Sequence, residues 1–211
     1  MFFQPIELDE QSAADVVEKR VGDLLFVVSS LTAKDGKLAK KGLPGLEKAL
    51  DGGKGLGILG HSIGGAAAAS TILTSKTKLK NKNKVLLKCG ANLDGSFWGP
   101  IISKGLPRNT DFLIMSSENR TRDNDPSWAS FWKNSKGGLE LEVKVVGAGH
   151  GSYSDQGYLL GVLVKLGVLE PGALGDGFGT IDGERMLDVE DAYCKFYFPR
   201  FGYDVESLLT D

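Results

Sequence analysis

The stretch Gly60-His61-Ser62-Ile63-Gly64-Gly65 decides how this chain is read. It fits the pattern G-x-S-x-G, in which a serine sits on a strained turn between a strand and a helix. Leu56 to Leu59 is short and apolar and reads as the strand. The small-residue run Ala66 to Ser70 reads as the start of a helix that continues to about Leu73. The glycines answer a steric demand: such a turn is expected to leave no room for side chains two residues either side of the serine. The following helix aims backbone N–H groups and the positive end of its dipole at the site. The amide of Ile63 is thereby placed to hold a developing oxyanion. An ordinary Gly-rich strand-to-helix turn with an idle serine would share this composition, so the neighbouring segments matter.

Working outward, Val16, Val17, Val21, Leu24, Leu25 and Val28 recur at helical spacing and predict a helix from Ser12 to Leu31. Lys34 to Lys54 reads as a Lys- and Gly-rich loop around Leu46 to Leu50. Beyond the serine, Lys76 to Lys84 is a basic connection, read as a solvated loop or, functionally, as a patch for anionic headgroups. Val85 to Leu93 reads as a buried strand that ends at Asp94-Gly95. Phe112 to Met115 is another strand, followed by a polar loop from Ser116 to Asp125. Pro126 and Ser127 open an aromatic helix with Trp128, Phe131 and Trp132. A fourth strand runs from Leu139 to Val146, directly before Gly147-Ala148-Gly149-His150. Ser154 to Leu166 reads as a helix, Gly167 to Gly179 as a loop, and Val189 to Phe198 as a closing helix. Strands alternating with helices predict an α/β sheet, mostly parallel, with helices on both faces. In such a sheet the working residues lie in loops past the carboxyl ends of the strands. Ser62, Asp94, the 118–125 loop and His150 all follow strand ends, which places them on one edge.

Composition bounds the remaining classes. At 211 residues the chain reads as one domain, 1–211, long enough to bury a core. Hydrophobic content of 41% and charged content of 25% are those of a soluble globular protein. A net charge of -2 leaves no electrostatic footprint for nucleic acid. No apolar run is long enough to cross a bilayer. The start, Met1-Phe2-Phe3-Gln4-Pro5, lacks the pattern of a secretory signal, so the reading is cytoplasmic by default, with secretion open if the N-terminus is incomplete. Cys89 and Cys194 are too few for a disulfide framework, and Cys89 reads as a small core residue. Their spacing suggests no metal site, and no cofactor is expected.

A serine hydroxyl needs a base to take its proton, and histidine is the usual one. The chain has two histidines. His61 lies inside the turn, with its side chain expected to point away from the groove, which leaves His150 as the base. The third member must be a carboxylate that fixes the imidazole tautomer. Asp94 ends a nearly uncharged strand and precedes a glycine turn. Glu118, Asp123 and Asp125 follow the next strand, the commoner place for the acid. Spacing alone leaves both positions open.

Taken together, Gly60-His61-Ser62-Ile63-Gly64-Gly65-Ala66, Asn92-Leu93-Asp94-Gly95 and His150-Gly151-Ser152-Tyr153-Ser154-Asp155 resemble the platelet-activating factor acetylhydrolase family of α/β-hydrolases, its fungal and bacterial relatives above all. Ile181-Asp182-Gly183-Glu184-Arg185, Ala192-Tyr193 and Phe196-Tyr197-Phe198 are similar to that family's closing helix. The resemblance implies Ser62 as nucleophile, Asp94 as acid and His150 as base, in the chain order Ser, Asp, His. It implies hydrolysis of short acyl esters of phospholipid-like substrates, and hence lipid degradation; contact with a lipid surface is the functional reading of the basic connection Lys76 to Lys84. An impaired remnant of such an enzyme, and a related polyester hydrolase with its acid in the 118–125 loop, are the alternatives. Phe97, Trp98, Trp128 and Trp132 are candidates for an acyl pocket or, equally, for core packing. Tyr153 is ambiguous in the same way. Family members carry several strands before the elbow, and one loop there supplies a second oxyanion donor. Only a helix and a loop precede Leu56 here, so the chain is expected to be the C-terminal portion of the fold, with Leu56–Leu59 an exposed edge.

Overall fold

The computed structural model describes residues 9–32, 56–78, 87–136, 138–170, 172 and 175–197. The Lys34–Lys54 loop, residues 79–84 of the basic connection, Val85 and Phe198 fall outside them. Helix α1 spans Glu10–Thr32, strand β1 Leu56–His61, helix α2 Ile63–Lys78 and strand β2 Leu87–Leu93. A short helix α3, Pro100–Lys104, precedes strand β3, Asp111–Ser116. Helix α4, Pro126–Asn134, leads to strand β4, Glu140–Lys144. Helices α5, Asp155–Lys165, and α6, Gly183–Tyr197, complete the order, with 3₁₀ turns at His150–Tyr153 and Asp176–Phe178.

The four strands lie in the order β1-β2-β3-β4, each parallel to its neighbour. Parallel pairing buries both faces of the sheet, and two cores result. On β3, Phe112 and Ile114 face one way, among Val17 and Val21 of α1, Ala66, Ala69 and Ile72 of α2, and Phe131 of α4. Leu113 and Met115 face the other way, with Cys89 and Ala91 of β2 and Met186 and Tyr197 of α6. The period-two alternation of a strand thus divides four adjacent apolar residues between two layers. The run Ala66 to Ala69 is wholly buried, so α2 sits close against the sheet because nothing larger than a methyl group intervenes. Cys89 is buried as expected, and burial pushes its thiol up to about 12.

Among the described residues β1 forms one edge of the sheet, and Leu59 on it is half exposed. Lys76, from the basic connection, lies in α2 and turns back onto Thr110 Oγ1. No described helix is long and apolar enough to cross a membrane.

Candidate active site

Ser62 leaves β1 in a left-handed conformation, φ 57°, where non-glycine residues are uncommon and must be held by their surroundings. Its amide donates to the Leu93 carbonyl at 2.9 Å, extending the pairing with β2. The chain then enters α2 with Gly65 N–H on the Ser62 carbonyl, also at 2.9 Å. A β-carbon on Gly60 would lie 2.3 Å from the Gly64 main chain, and one on Gly65 would lie 1.9 Å from Asn92 Oδ1. Gly64 departs from the expectation. A β-carbon there would find only Arg20 Nη1, at 4.0 Å. The steric demand falls on Gly60 and Gly65 because Gly65, not Gly64, faces β2.

Asp94 leaves β2 in the same manner, with φ 53° and its amide on the Met115 carbonyl at 2.8 Å. Its side chain is fully buried. Asn92, also fully buried, secures this second turn: Oδ1 accepts from Gly95 N–H at 2.9 Å and Nδ2 donates to the Gly95 carbonyl at 2.6 Å. Trp128 Nε1 donates to the same carbonyl at 2.8 Å. Gly95 packs so closely that a β-carbon would lie 1.9 Å from the Ser62 carbonyl oxygen. The two left-handed turns therefore brace one another.

His150 arrives from the far edge of the sheet. After β4 the chain crosses the end of β3, with Val145 N–H on the Ser116 carbonyl and Glu118 N–H on the Ala148 carbonyl, each at 2.9 Å. This crossing carries His150 back to the other two residues. Nδ1–H donates to Asp94 Oδ2 at 2.7 Å, and Nε2 accepts from Ser62 Oγ at 3.0 Å. Asp94 Oδ1 accepts from Ser117 N–H at 2.7 Å and lies 3.4 Å from Arg120 Nε. Burial pushes the Asp94 carboxyl up. The hydrogen bonds from His150 and Ser117 and the Arg120 charge outweigh it and hold the group below the usual carboxylate range.

The 118–125 loop contributes differently from the alternative weighed above. Asp125 caps α4 through Ser127 N–H and accepts from Arg120 Nη1 at 3.0 Å and Ser96 Oγ at 2.7 Å. Glu118 accepts from Gly147 N–H at 3.0 Å, and Asp123 is exposed. The carboxylate on His150 Nδ1 is that of Asp94.

His61 corrects another expectation. Its ring does not turn away from the site: Nε2–H donates to the His150 carbonyl at 3.0 Å, and the two ring centroids are 4.7 Å apart. Burial, then the nearby His150, holds His61 below the usual imidazole range. Tyr153 is buried, stacked 6.1 Å from His61. Of the four candidate aromatics, Phe97, Trp128 and Trp132 are buried in the core. Trp98 instead lines a cleft of about 260 Å³ together with Ala13, Ser62, Ile63, Arg120 and His150. The Ile63 amide, first in α2, has no acceptor within its own helix. Among the described residues no group of His, Cys, Asp or Glu side chains converges as a metal-ligand set.

The sequence alone gives Arg120 no place in the site, since a cation in a charged loop reads as solvated. Asn92 carried a usable signal: an amide in an otherwise apolar strand must find partners when buried.

Comparison with protein-family models gives no match. The chain is 26% identical over 163 residues to a probable 1-alkyl-2-acetylglycerophosphocholine esterase of Arthroderma benhamiae, a match covering 73% of this chain and 40% of that protein. In structure it is similar to a ferulic acid esterase from Streptomyces cinnamoneus, with a TM-score of 0.62 and 23% identity over 93% of this chain and 50% of that one. The chain thus spans half or less of the length of these two proteins. With the parallel sheet, its flanking helices and the strand-to-helix turn at Ser62, the structural likeness identifies an α/β-hydrolase fold.

Proposed function

We propose that this chain carries the reacting groups of a serine carboxylic ester hydrolase. The observation that carries the reading is the continuous hydrogen-bonded series Ser62 Oγ, His150 Nε2, His150 Nδ1, Asp94 Oδ2, with spacings of 3.0 and 2.7 Å. In the first half-reaction Ser62 Oγ attacks the ester carbonyl carbon while its proton passes to His150 Nε2. The negative oxygen that forms accepts from the Ile63 amide. As the carbon–oxygen bond to the alcohol breaks, His150 returns the proton to the departing oxygen, leaving an acyl group on Ser62. Water then attacks the acyl carbon and gives a proton to His150; the bond from that carbon to Ser62 Oγ breaks, His150 returns the proton to Ser62 Oγ, and the acid leaves. Throughout, Asp94 holds the Nδ1–H tautomer and stabilises the imidazolium.

The substrate we propose is a short acyl ester of a phospholipid-like alcohol. A cleft of about 260 Å³ beside Ser62, lined in part by Trp98, suits a short acyl group. The phospholipid-like alcohol rests on the sequence motifs and on the name of the fungal relative. The test is labelling of Ser62 by a fluorophosphonate probe, followed by turnover of p-nitrophenyl esters of increasing chain length. Labelling lost in Ser62→Ala and turnover falling with chain length are expected. Labelling that persists in Ser62→Ala would overturn the assignment.

A further inference from the structure

The loop after β3, weighed in the sequence as a source of the acid, supplies a cation to the acid instead. Arg120 stands between two carboxylates. Its Nε is 3.4 Å from Asp94 Oδ1, and its Nη1 reaches Asp125 Oδ2 at 3.0 Å and Ser96 Oγ at 2.7 Å. Asp94 is fully buried, whereas the Arg120 side chain is 27% exposed. An ionised carboxylate with no access to water is costly unless it is paired and fully hydrogen-bonded. His150 Nδ1–H and Ser117 N–H supply two donors, and neither brings a permanent charge. The charged and titratable groups around the Asp94–His150 pair are His61 from the elbow, Arg120 and Asp125 from the loop after β3, and Tyr153 beyond His61, with Glu118 held at Gly147. Among the described residues Arg120 is the cation in contact with Asp94, while Arg20 of α1 lies near Gly64. Arg120 is anchored on the start of α4, so its distance from Asp94 is set by a helix cap and not by a freely rotating side chain.

We propose that Arg120 is a positioning residue: anchored by Asp125 and Ser96, it holds the buried Asp94 carboxylate as the acceptor of His150 Nδ1–H. The proposal rests on the serine-hydrolase reading above for its effect on catalysis, and on geometry for its effect on the pair. A cation at this distance favours the ionised carboxylate of Asp94 and opposes added positive charge on the pair. Asp125, on the far side of the guanidinium, draws part of that charge away. Arg120 and Asp125 therefore act on the pair with opposite signs.

The experiment measures kcat/KM against pH for p-nitrophenyl acetate in Arg120→Gln, Arg120→Lys and Asp125→Asn. In parallel, the two histidines are titrated by proton NMR through the imidazole range, with His61→Asn assigning the signals. In Arg120→Gln the acid limb and the His150 titration should move up by about half to one pH unit. In Asp125→Asn, which keeps a good helix cap, both should move down. Arg120→Lys keeps the charge but not the fork, and should restore the limb while kcat stays reduced. If Arg120→Gln does not fold, the downward movement in Asp125→Asn decides. Folded variants whose limb and histidine titration coincide with the parent would overturn the proposal and leave Arg120 a brace for α4. Histidine signals that move in a protein hydrolysing no ester would sink the hydrolase reading and sustain this one.

Discussion

His61 and His150 are joined through the main chain: His61 Nε2–H donates to the His150 carbonyl at 3.0 Å, and their rings lie 4.7 Å apart. The residue just before the proposed nucleophile therefore holds the loop of the proposed base. A hydrogen bond of this kind contributes about 0.5–1.5 kcal/mol net. His61→Phe should lower kcat/KM for p-nitrophenyl acetate roughly 2- to 10-fold, since each 1.4 kcal/mol is a factor of ten. Activity equal to the parent would show that His150 is placed without it.

Burial of His61 makes stability depend on pH. His61 is held below the usual imidazole value, so the unfolded chain binds a proton that the native protein resists. Native stability is complete above about pH 6.5 and falls as pH drops through the lowered native value. Thermal unfolding of His61→Asn should vary less between about pH 6.5 and 5 than that of the parent. Parallel curves would exclude His61 as the titrating group.

Asp94 titrates in a separate window. Its depressed native value adds stability above about pH 4, which is lost as pH falls through that value. Asp94→Asn, which tolerates a left-handed φ, should fold and lose this acid dependence. It should also reduce kcat by about 10⁴-fold, as when a triad carboxylate is neutralised. Near-parental turnover in Asp94→Asn would return the acid to the 118–125 loop.

Glycines of the two turns should differ sharply. Gly95→Ala drives a β-carbon to 1.9 Å from the Ser62 carbonyl oxygen, a backbone atom with little freedom to yield. We expect a loss of about 3 kcal/mol or more, read from denaturant midpoints. Gly64→Ala meets nothing closer than 4.0 Å and lies in α2. It should be neutral or stabilise the fold by up to about 0.5–1 kcal/mol. Equal losses at both positions would contradict the packing described for the elbow.

Removing Asn92 tests the brace between the turns. In Asn92→Ala the Gly95 carbonyl keeps Trp128 Nε1, but the Gly95 amide loses Oδ1 inside the core. A cost of about 1–3 kcal/mol is expected in urea unfolding. A kcat that falls beyond the loss of folded protein would place Asn92 in the alignment of Ser62 with Asp94.

Element type is legible in the sequence along most of the described chain; the short helix Pro100–Lys104 is not, and the remaining differences lie at element ends. The first helix begins at Glu10, not Ser12, because Asp9 Oδ1 takes the Ser12 amide at 2.8 Å. The last begins at Gly183, not Val189, because Asp182 Oδ1 takes the Glu184 amide at 2.9 Å. Apolar spacing says nothing about a capping aspartate, so it places both starts late. The fourth strand ends at Lys144, not Val146, since Val145 turns into the core and Val146 into solvent. The elbow helix runs to Lys78, past Leu73, because Ser, Thr and Lys continue a helix without adding apolar periodicity.

The sequence by itself determined the order of strands and helices, and with it the single edge on which Ser62, Asp94, the 118–125 loop and His150 stand. That much follows from alternation, because parallel strands joined by helices all end on one side. Which carboxylate meets His150 was decided by the tertiary structure. Asp94 and Asp125 both follow strands, and no local rule separates them. The order β1-β2-β3-β4 puts the turn at Asp94 beside the turn at Ser62, and the chain after β4 folds back over β3 to reach both. The inward turn of His61 and the place of Arg120 between two carboxylates were decided in the same way. They depend on which loops come together in space and on how buried charge must be compensated, and neither is encoded in the spacing of residues along the chain.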